Sequence, residues 1–127
     1  MDIEILGKSY PMAYTIDAQC QIDEKAGGIK NIDSLFDESD PVGTLKNTVF
    51  LVSVLMKGAA DREQLKNKLM GNDVEPIVIP TYQELLSVLE IKEIKILMKA
   101  VMKTIQEGSQ VTTEVEESEK KTETESK

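Results

Sequence analysis

The chain has 127 residues, a formal net charge of −8 and no histidine. Its length suffices for one domain and not for two, and its negative charge disfavours nucleic acid and anionic membrane surfaces. The missing histidine removes the commonest general base, the Ser-His and Cys-His nucleophile pairs and most zinc sites. Carboxylate and lysine chemistry remain possible, but the composition argues against an enzyme, and we expect a non-catalytic protein without cofactor or metal.

Hydrophobic residues make up 40% of the chain and aromatic residues only 4%, so the core must consist of Leu, Ile, Val and the six Met. No apolar run approaches 18 residues, and the start lacks a basic and apolar leader, so we expect neither a membrane helix nor a secretory signal. Cys20 is the single cysteine. It lacks a basic neighbour to activate it, and we interpret it as a small buried hydrophobe in a reducing cytoplasm.

The first element is a predicted β-hairpin over about residues 2–15. Hydrophobic residues alternate in both halves, and Gly7-Lys8 suits a type II′ two-residue turn. Pro11 has no N–H, so it should face an unpaired edge. Gly7-Lys8-Ser9 also matches the end of a phosphate-binding loop. However, Asp2 stands where that loop needs glycine, and the extended Tyr10-Pro11 replaces the required helix, so the nucleotide interpretation fails. The alternating residues are Ile3, Ile5, Tyr10, Met12 and Tyr14.

Cap residues predict the first helices. Thr15 caps a helix over 16–26, which Gly27-Gly28 ends, and a short helical piece follows over 31–36. The acidic loop 37–40 lacks the spacing of a calcium site, so we interpret it as a solvated loop that caps the next helix.

Asp40-Pro41 predicts the start of the next helix, over 42–57, with Gly58 as its end. Its middle, VFLVSVLM, is apolar on every side, so periodicity does not separate a buried helix from a strand; length and the Asp-Pro cap favour a central helix. Asp61 and Gln64 have the spacing of a capping box, which predicts a separate polar helix closed by Gly71.

Pro76 and Pro80 predict an extended or looped segment over 72–80. Thr81 and Glu84 form a second capping box for a helix through residue 89, and a last helix covers 90–107 with Gly108 as its stop. The sequence leaves open whether these two helices are continuous. Residues 109–127 are rich in Glu, Ser, Thr and Lys and predict a disordered acidic tail, so the domain is residues 1–108.

The last helix carries an apolar face with a row of lysines beside it. The lysines are either a solvated flank whose stems cover the core edge or a docking stripe for an acidic partner segment. Nucleic acid is disfavoured because no aromatic residues interleave with them. The apolar face comprises Ile91, Ile94, Leu97, Met98, Val101, Met102 and Ile105. The candidate partner-binding residues are Lys92, Lys95, Lys99, Lys103, Met98 and Met102.

Residues 3–18, IEILGKSYPMAYTIDA, resemble the opening of tail assembly chaperones from phages with long, non-contractile tails and from related prophages. That family begins with a hairpin of the pattern Ile-x-Ile-x-Gly-Lys-x-Tyr-x-hydrophobic, followed by a helix. Gly7, Lys8 and Tyr10 carry the resemblance most firmly, and LMKGA (55–59) and PTYQELLSVL (80–89) also fit. The resemblance spans roughly residues 3–107 and is to the short form of the family.

The resemblance implies a non-catalytic protein that coats the tape measure protein, keeps it soluble and helps recruit tail tube subunits. We expect a mainly α fold with a small N-terminal β-hairpin: a single compact helical domain plus the tail. The partners would be the tape measure and tail tube proteins, and we expect no binding to nucleic acid or membrane. The sequence leaves open whether the protein forms a homo-oligomer. The alternatives are a structural tail component retained in the virion and, less supported, a transcriptional or antidefence regulator.

Overall fold

In the computed structural model, residues 2–72 and 75–124 are described, with the backbone alone described for residues 29–31 and 110–124. The fold is mainly α with an N-terminal hairpin, as predicted. The strands are β1 (Asp2–Ile5) and β2 (Lys8–Pro11), and the α-helices are α1 (Ile16–Ala26), α2 (Pro41–Leu69), α3 (Tyr82–Val88) and α4 (Ile94–Thr124). Short 3-10 helices occupy Ile29–Leu35 and Ile91–Glu93.

The hairpin turns one residue earlier than predicted. Ile5 lies opposite Lys8, so the turn residues are Leu6 and Gly7, with φ of 53° and 84°, and the predicted Gly7-Lys8 turn is wrong. The observed register ends the pairing at Pro11, which frees Met12 to enter the core. The next residue, Ala13, donates its N–H to the carbonyl of Leu55, 3.0 Å away.

The edge position predicted for Pro11 is confirmed. Residues that flank a two-residue turn exchange backbone hydrogen bonds, and the next pair does not. In this register Ser9 and Pro11 belong to the non-hydrogen-bonded pairs, so the backbone N–H and carbonyl of Ser9 and the carbonyl of Pro11 point away from β1. β2 has no other strand partner among the described residues, and a residue without an N–H is tolerated there.

α1 begins and ends where its caps predict. The hydroxyl oxygen of Thr15 accepts from the N–H of Ala18 at 3.1 Å, and Gly27 ends the helix with φ of 77°. The buried face carries Ala18 and Ile22. Cys20 is two residues from each and therefore lies on the opposite face of the helix. It is exposed, so its predicted burial is wrong.

α2 is one helix, whereas the sequence predicted two. Asp40 caps it as predicted, accepting from the N–H of Gly43 at 3.0 Å. The predicted stop at Gly58 is wrong because that glycine lies inside α2. The segment of residues 13–15 crosses the helix at this point. An added Cβ there would lie 2.9 Å from the carbonyl oxygen of Ala13. The predicted start at Asp61 is also wrong, since its carboxylate pairs with Lys57 at 2.9 Å across one turn.

The predicted capping box at α3 is present. The N–H of Thr81 donates to Glu84 at 2.9 Å, and the N–H of Glu84 donates back to the Thr81 hydroxyl at 3.2 Å. Leu89 then leaves the helix with extended backbone. The N–H of Glu90 donates to the carboxylate of Glu93 at 2.7 Å. The helical backbone is therefore interrupted between α3 and α4. The two helices, whose continuity the sequence left open, are separate.

α4 passes through Gly108 without ending, so the predicted stop there is wrong. An added Cβ at Gly108 would lie 2.9 Å from Cβ of Tyr14, and the glycine therefore permits a close approach of the hairpin's exit segment. The predicted disordered tail lies, apart from Ser109, outside the residues whose side chains are described.

The core surrounds the middle of α2, which contacts β2, α1, the first 3-10 helix, α3 and α4. The apolar run in α2 is therefore a central buried helix, as predicted. The hairpin joins this core through Ile3, Ile5 and Met12, which are 6%, 2% and 4% exposed. In the described part of the chain, no helix is long and apolar enough to cross a membrane.

Candidate partner-binding surfaces

The hairpin-side groove lies between β2 and the extended residues 77–80, over α2 and α3. It consists of two adjoining cavities of about 540 and 240 Å³. Both cavities are lined by Lys8, Tyr10, Val78 and Ile79. Because residues distant in sequence form its two walls, the groove is a product of the tertiary fold.

Large apolar side chains at this groove are open to solvent. Leu6 and Val78 are each 79% exposed, and Ile77 is 37% exposed. Leu6 is held out by the turn, and the N–H of Ile77 donates to the side-chain oxygen of Gln64 at 3.3 Å. The rim is polar: the Lys8 ammonium lies 5.4 Å from the centroid of the Tyr10 ring, within range of a cation–π contact. An apolar floor with a polar rim is typical of a protein-binding groove.

The backbone edge of β2 favours side-chain recognition over strand addition. Ser9 offers an outward N–H and carbonyl, whereas Pro11 offers only a carbonyl. An added strand would therefore lose a hydrogen bond at Pro11, the usual way in which edge strands resist pairing. We expect the groove to take apolar side chains from a partner.

A second cavity, the β1–α4 groove, lies between the first strand and the last helix. It has a volume of about 550 Å³ and is lined by Ile3 in β1 and by Ile96, Leu97, Lys99 and Lys103 in α4, among others. Ile96 is 70% exposed. It lies outside the apolar face predicted for this helix, so the sequence analysis missed the residue that makes the groove apolar.

The predicted partner-binding residues divide between different surroundings. All four lysines are exposed, but only Lys99 and Lys103 line the β1–α4 groove. Lys92 lies in the preceding 3-10 helix and pairs with Glu90 at 3.4 Å. Met98 and Met102 are half-buried and do not line that groove.

The predicted apolar face of the last helix is only partly correct. Leu97 and Val101 are buried, while Ile94 and Ile105 are half-buried against the core. Ile91 is 77% exposed, so its predicted place on this face is wrong. The break at residues 89–90 puts Ile91 in the 3-10 helix and out of phase with α4.

Among the described residues, two titrating groups have a shifted pKa, and both shifts have structural causes. Burial raises the pKa of Tyr14, and the carboxylate of Asp23 raises it further. Hydrogen bonds from the backbone N–H and then the hydroxyl of Ser39 lower the pKa of Asp37, which is the behaviour of a solvated turn. Among the described residues, no group of three His, Cys, Asp or Glu side chains could hold a metal ion.

Comparison with protein-family models, with curated proteins and with solved structures found no match to this chain.

Proposed function

We propose that this protein is a non-catalytic tail assembly chaperone of a phage with a long, non-contractile tail. It would bind the tape measure protein, keep it soluble and help recruit tail tube subunits in the cytoplasm of the infected or lysogenic bacterium. The proposal joins the family resemblance of residues 3–107 to one observation, the hairpin-side groove with its exposed apolar side chains.

The groove supports this function because it offers solvent-exposed apolar surface on a packed body. Hydrophobic burial is the main driving force of protein association, and exposed patches of this kind mark interaction sites. A tape measure protein is long and helical, so its own apolar surface remains open until tube subunits cover it. Side chains from such a helix would enter between Leu6 and Val78 and exclude water from both surfaces.

Binding would be multivalent along the partner. Each copy would bury a small interface, in the range of less than ~1,200 Å² that is typical of transient contacts. Many weak contacts on one long chain raise the overall affinity through effective concentration. Each contact nevertheless remains weak enough for tube subunits to displace it.

The alternative is a structural tail component, such as a tube or completion protein, that remains in the virion. The same groove would then be buried permanently by a neighbouring subunit. The two functions differ in the fate of the chain: a chaperone is absent from finished particles, whereas a structural component is present in fixed stoichiometry.

The test is coexpression with the tape measure protein of the same genome. We expect the tape measure protein to move from the insoluble to the soluble fraction and to copurify with several copies of this chain. A tape measure protein that stays insoluble would contradict the proposal. Finding this chain in fixed stoichiometry in purified virions would support the structural alternative instead.

Variants at the groove make the test specific. Leu6→Asn removes one exposed apolar side chain of the groove while suiting the positive φ of the turn, and Val78→Asp places a charge on the opposite wall. Both should abolish copurification with unchanged helical circular dichroism. The matched control is Ile16→Asn, which changes an 84% exposed residue outside the groove and should leave copurification intact.

A further inference from the structure

The lysine row of α4 is a concentration of positive charge on an acidic protein. Lys95, Lys99 and Lys103 follow one another at one-turn spacing, and none of them forms an ion pair with a described residue. Like charges at this spacing repel one another by a few tenths of a kcal/mol per pair. The row is therefore a surface that an acidic group would stabilise.

The row borders an apolar trough. Ile96 is 70% exposed, and it lines the β1–α4 groove together with Ile3, Leu97 and Ala100. A ligand that matches this surface must combine acidic side chains with apolar ones. Three carboxylates also line the groove, those of Asp2 and Glu4 in β1 and that of Glu93 just before α4. They restrict the acidic groups of a ligand to the part of the groove beside Lys99 and Lys103.

We propose that the β1–α4 groove binds the acidic C-terminal segment, residues 110–127, of a second copy of this chain. The segment contains six Glu and three Lys, a net charge of −3, and it includes Val111 and Val115 four residues apart. Its composition thus supplies the acidic and apolar groups that the groove selects. The inference goes beyond the proposed function, because it concerns contact between copies and does not depend on the tape measure protein.

The course of α4 is the reason for choosing a second copy over the same chain. The helix runs from Ile94 to Thr124 without a break, and each residue rises 1.5 Å along its axis. Residues 110–124 therefore continue away from Lys103 along the helix axis, and they would reach the lysine row of their own chain only if α4 broke. Two antiparallel copies need no break, since each segment then lies along the other copy's lysines in a two-fold symmetric contact.

The experiment measures self-association of the full chain by sedimentation equilibrium and native mass spectrometry. We expect a dimer in about 50 mM salt, with a dissociation constant at least about tenfold higher in about 1 M salt, because salt screens exposed charge pairs. A chain that stays monomeric at every concentration and salt level would overturn the proposal. A dimer indifferent to salt would do the same.

Charge reversal tests the pairing itself. A groove variant and a segment variant should each be monomeric alone and should form a heterodimer when mixed, because reversal on both sides restores attraction. If both variants keep the wild-type circular dichroism but the mixture stays monomeric, the pairing is wrong. The groove variant is Lys99→Glu and Lys103→Glu, which line the groove, together with Lys95→Glu, which precedes them in the same lysine row. The segment variant is Glu114→Lys, Glu116→Lys and Glu117→Lys.

A matched control separates the groove from net charge. The control changes three exposed lysines outside the groove and carries the same total charge as the groove variant, so it should dimerise like the wild type. Loss of the dimer in the control would show that net charge, and not the groove, governs association. The control is Lys46→Glu, Lys66→Glu and Lys68→Glu.

Discussion

Replacing Gly58 by alanine should destabilise the protein, although alanine is the better helix former. In an ordinary helix interior the change gains about 1 kcal/mol. Here the added methyl carbon would lie 2.9 Å from the carbonyl oxygen of Ala13 and 3.2 Å from two side-chain atoms of Thr15. The nearest of these is backbone, which cannot rotate away.

The net effect follows from what the crossing segment would lose. Overpacking of this kind costs about 1–3 kcal/mol. A shift of the segment would also weaken the 3.0 Å hydrogen bond from Ala13 to Leu55, worth about 1 kcal/mol, and the Thr15 cap of α1, also worth about 1 kcal/mol. The gain in helix propensity of about 1 kcal/mol offsets part of these losses. We therefore expect Gly58→Ala to lower the free energy of unfolding by about 1–3 kcal/mol.

Urea unfolding followed by circular dichroism measures this difference, and a thermal melt should fall by about 2–8 °C per kcal/mol. Lys66→Ala, at an exposed position of the same helix, is the control and should stay within about 0.5 kcal/mol of wild type. If Gly58→Ala instead stabilised the protein by about 1 kcal/mol, the glycine would be an ordinary helix residue and the close crossing would be refuted.

Three further perturbations test local features. Leu6→Asn should raise the free energy of unfolding by about 0.5–1 kcal/mol in urea titration, because Asn-Gly suits a turn with two positive φ angles; an unchanged or lower value would contradict the observed turn. Asp40→Ala should lower the free energy of unfolding by about 1 kcal/mol in the same assay, because the cap on the N–H of Gly43 is lost. An unchanged value would mean that this cap does not stabilise the protein. Tyr14 has a raised pKa in the folded state, so the unfolded chain loses its phenolic proton first and stability should fall as the pH rises above about 10. Tyr14→Phe should reduce that alkaline loss in melts between about pH 9 and 11, and an identical pH profile would show that burial of Tyr14 has no such effect.

Local interactions could be predicted from the sequence wherever the interacting groups are close along the chain. The caps formed by Thr15, Asp40 and Thr81 each join atoms three residues apart, so residue type and spacing were sufficient to predict them. Alternation likewise predicted that Ile3 and Ile5 share the hairpin's buried face.

The partner-binding surfaces were only partly predictable. Helical spacing alone placed Lys99 and Lys103 on one exposed row. The sequence did not show that Ile96 would be left open beside them, because that depends on how β1 packs against α4. Nor did it reveal the hairpin-side groove, whose walls, at Leu6 and Val78, are far apart in sequence.

The glycines show most clearly what the tertiary structure decided. Gly27 and Gly71 end helices with positive φ, at 77° and 80°, as predicted. Gly58 and Gly108 follow helical patterns of the same kind, yet both lie inside helices. The difference is that residues 13–15 cross α2 and α4 at these two points, and only a residue without a side chain leaves room for another segment there. The sequence shows that a glycine is present at each of these two positions. Why glycine is needed there depends on a contact with residues more than forty positions away, which only the tertiary structure shows.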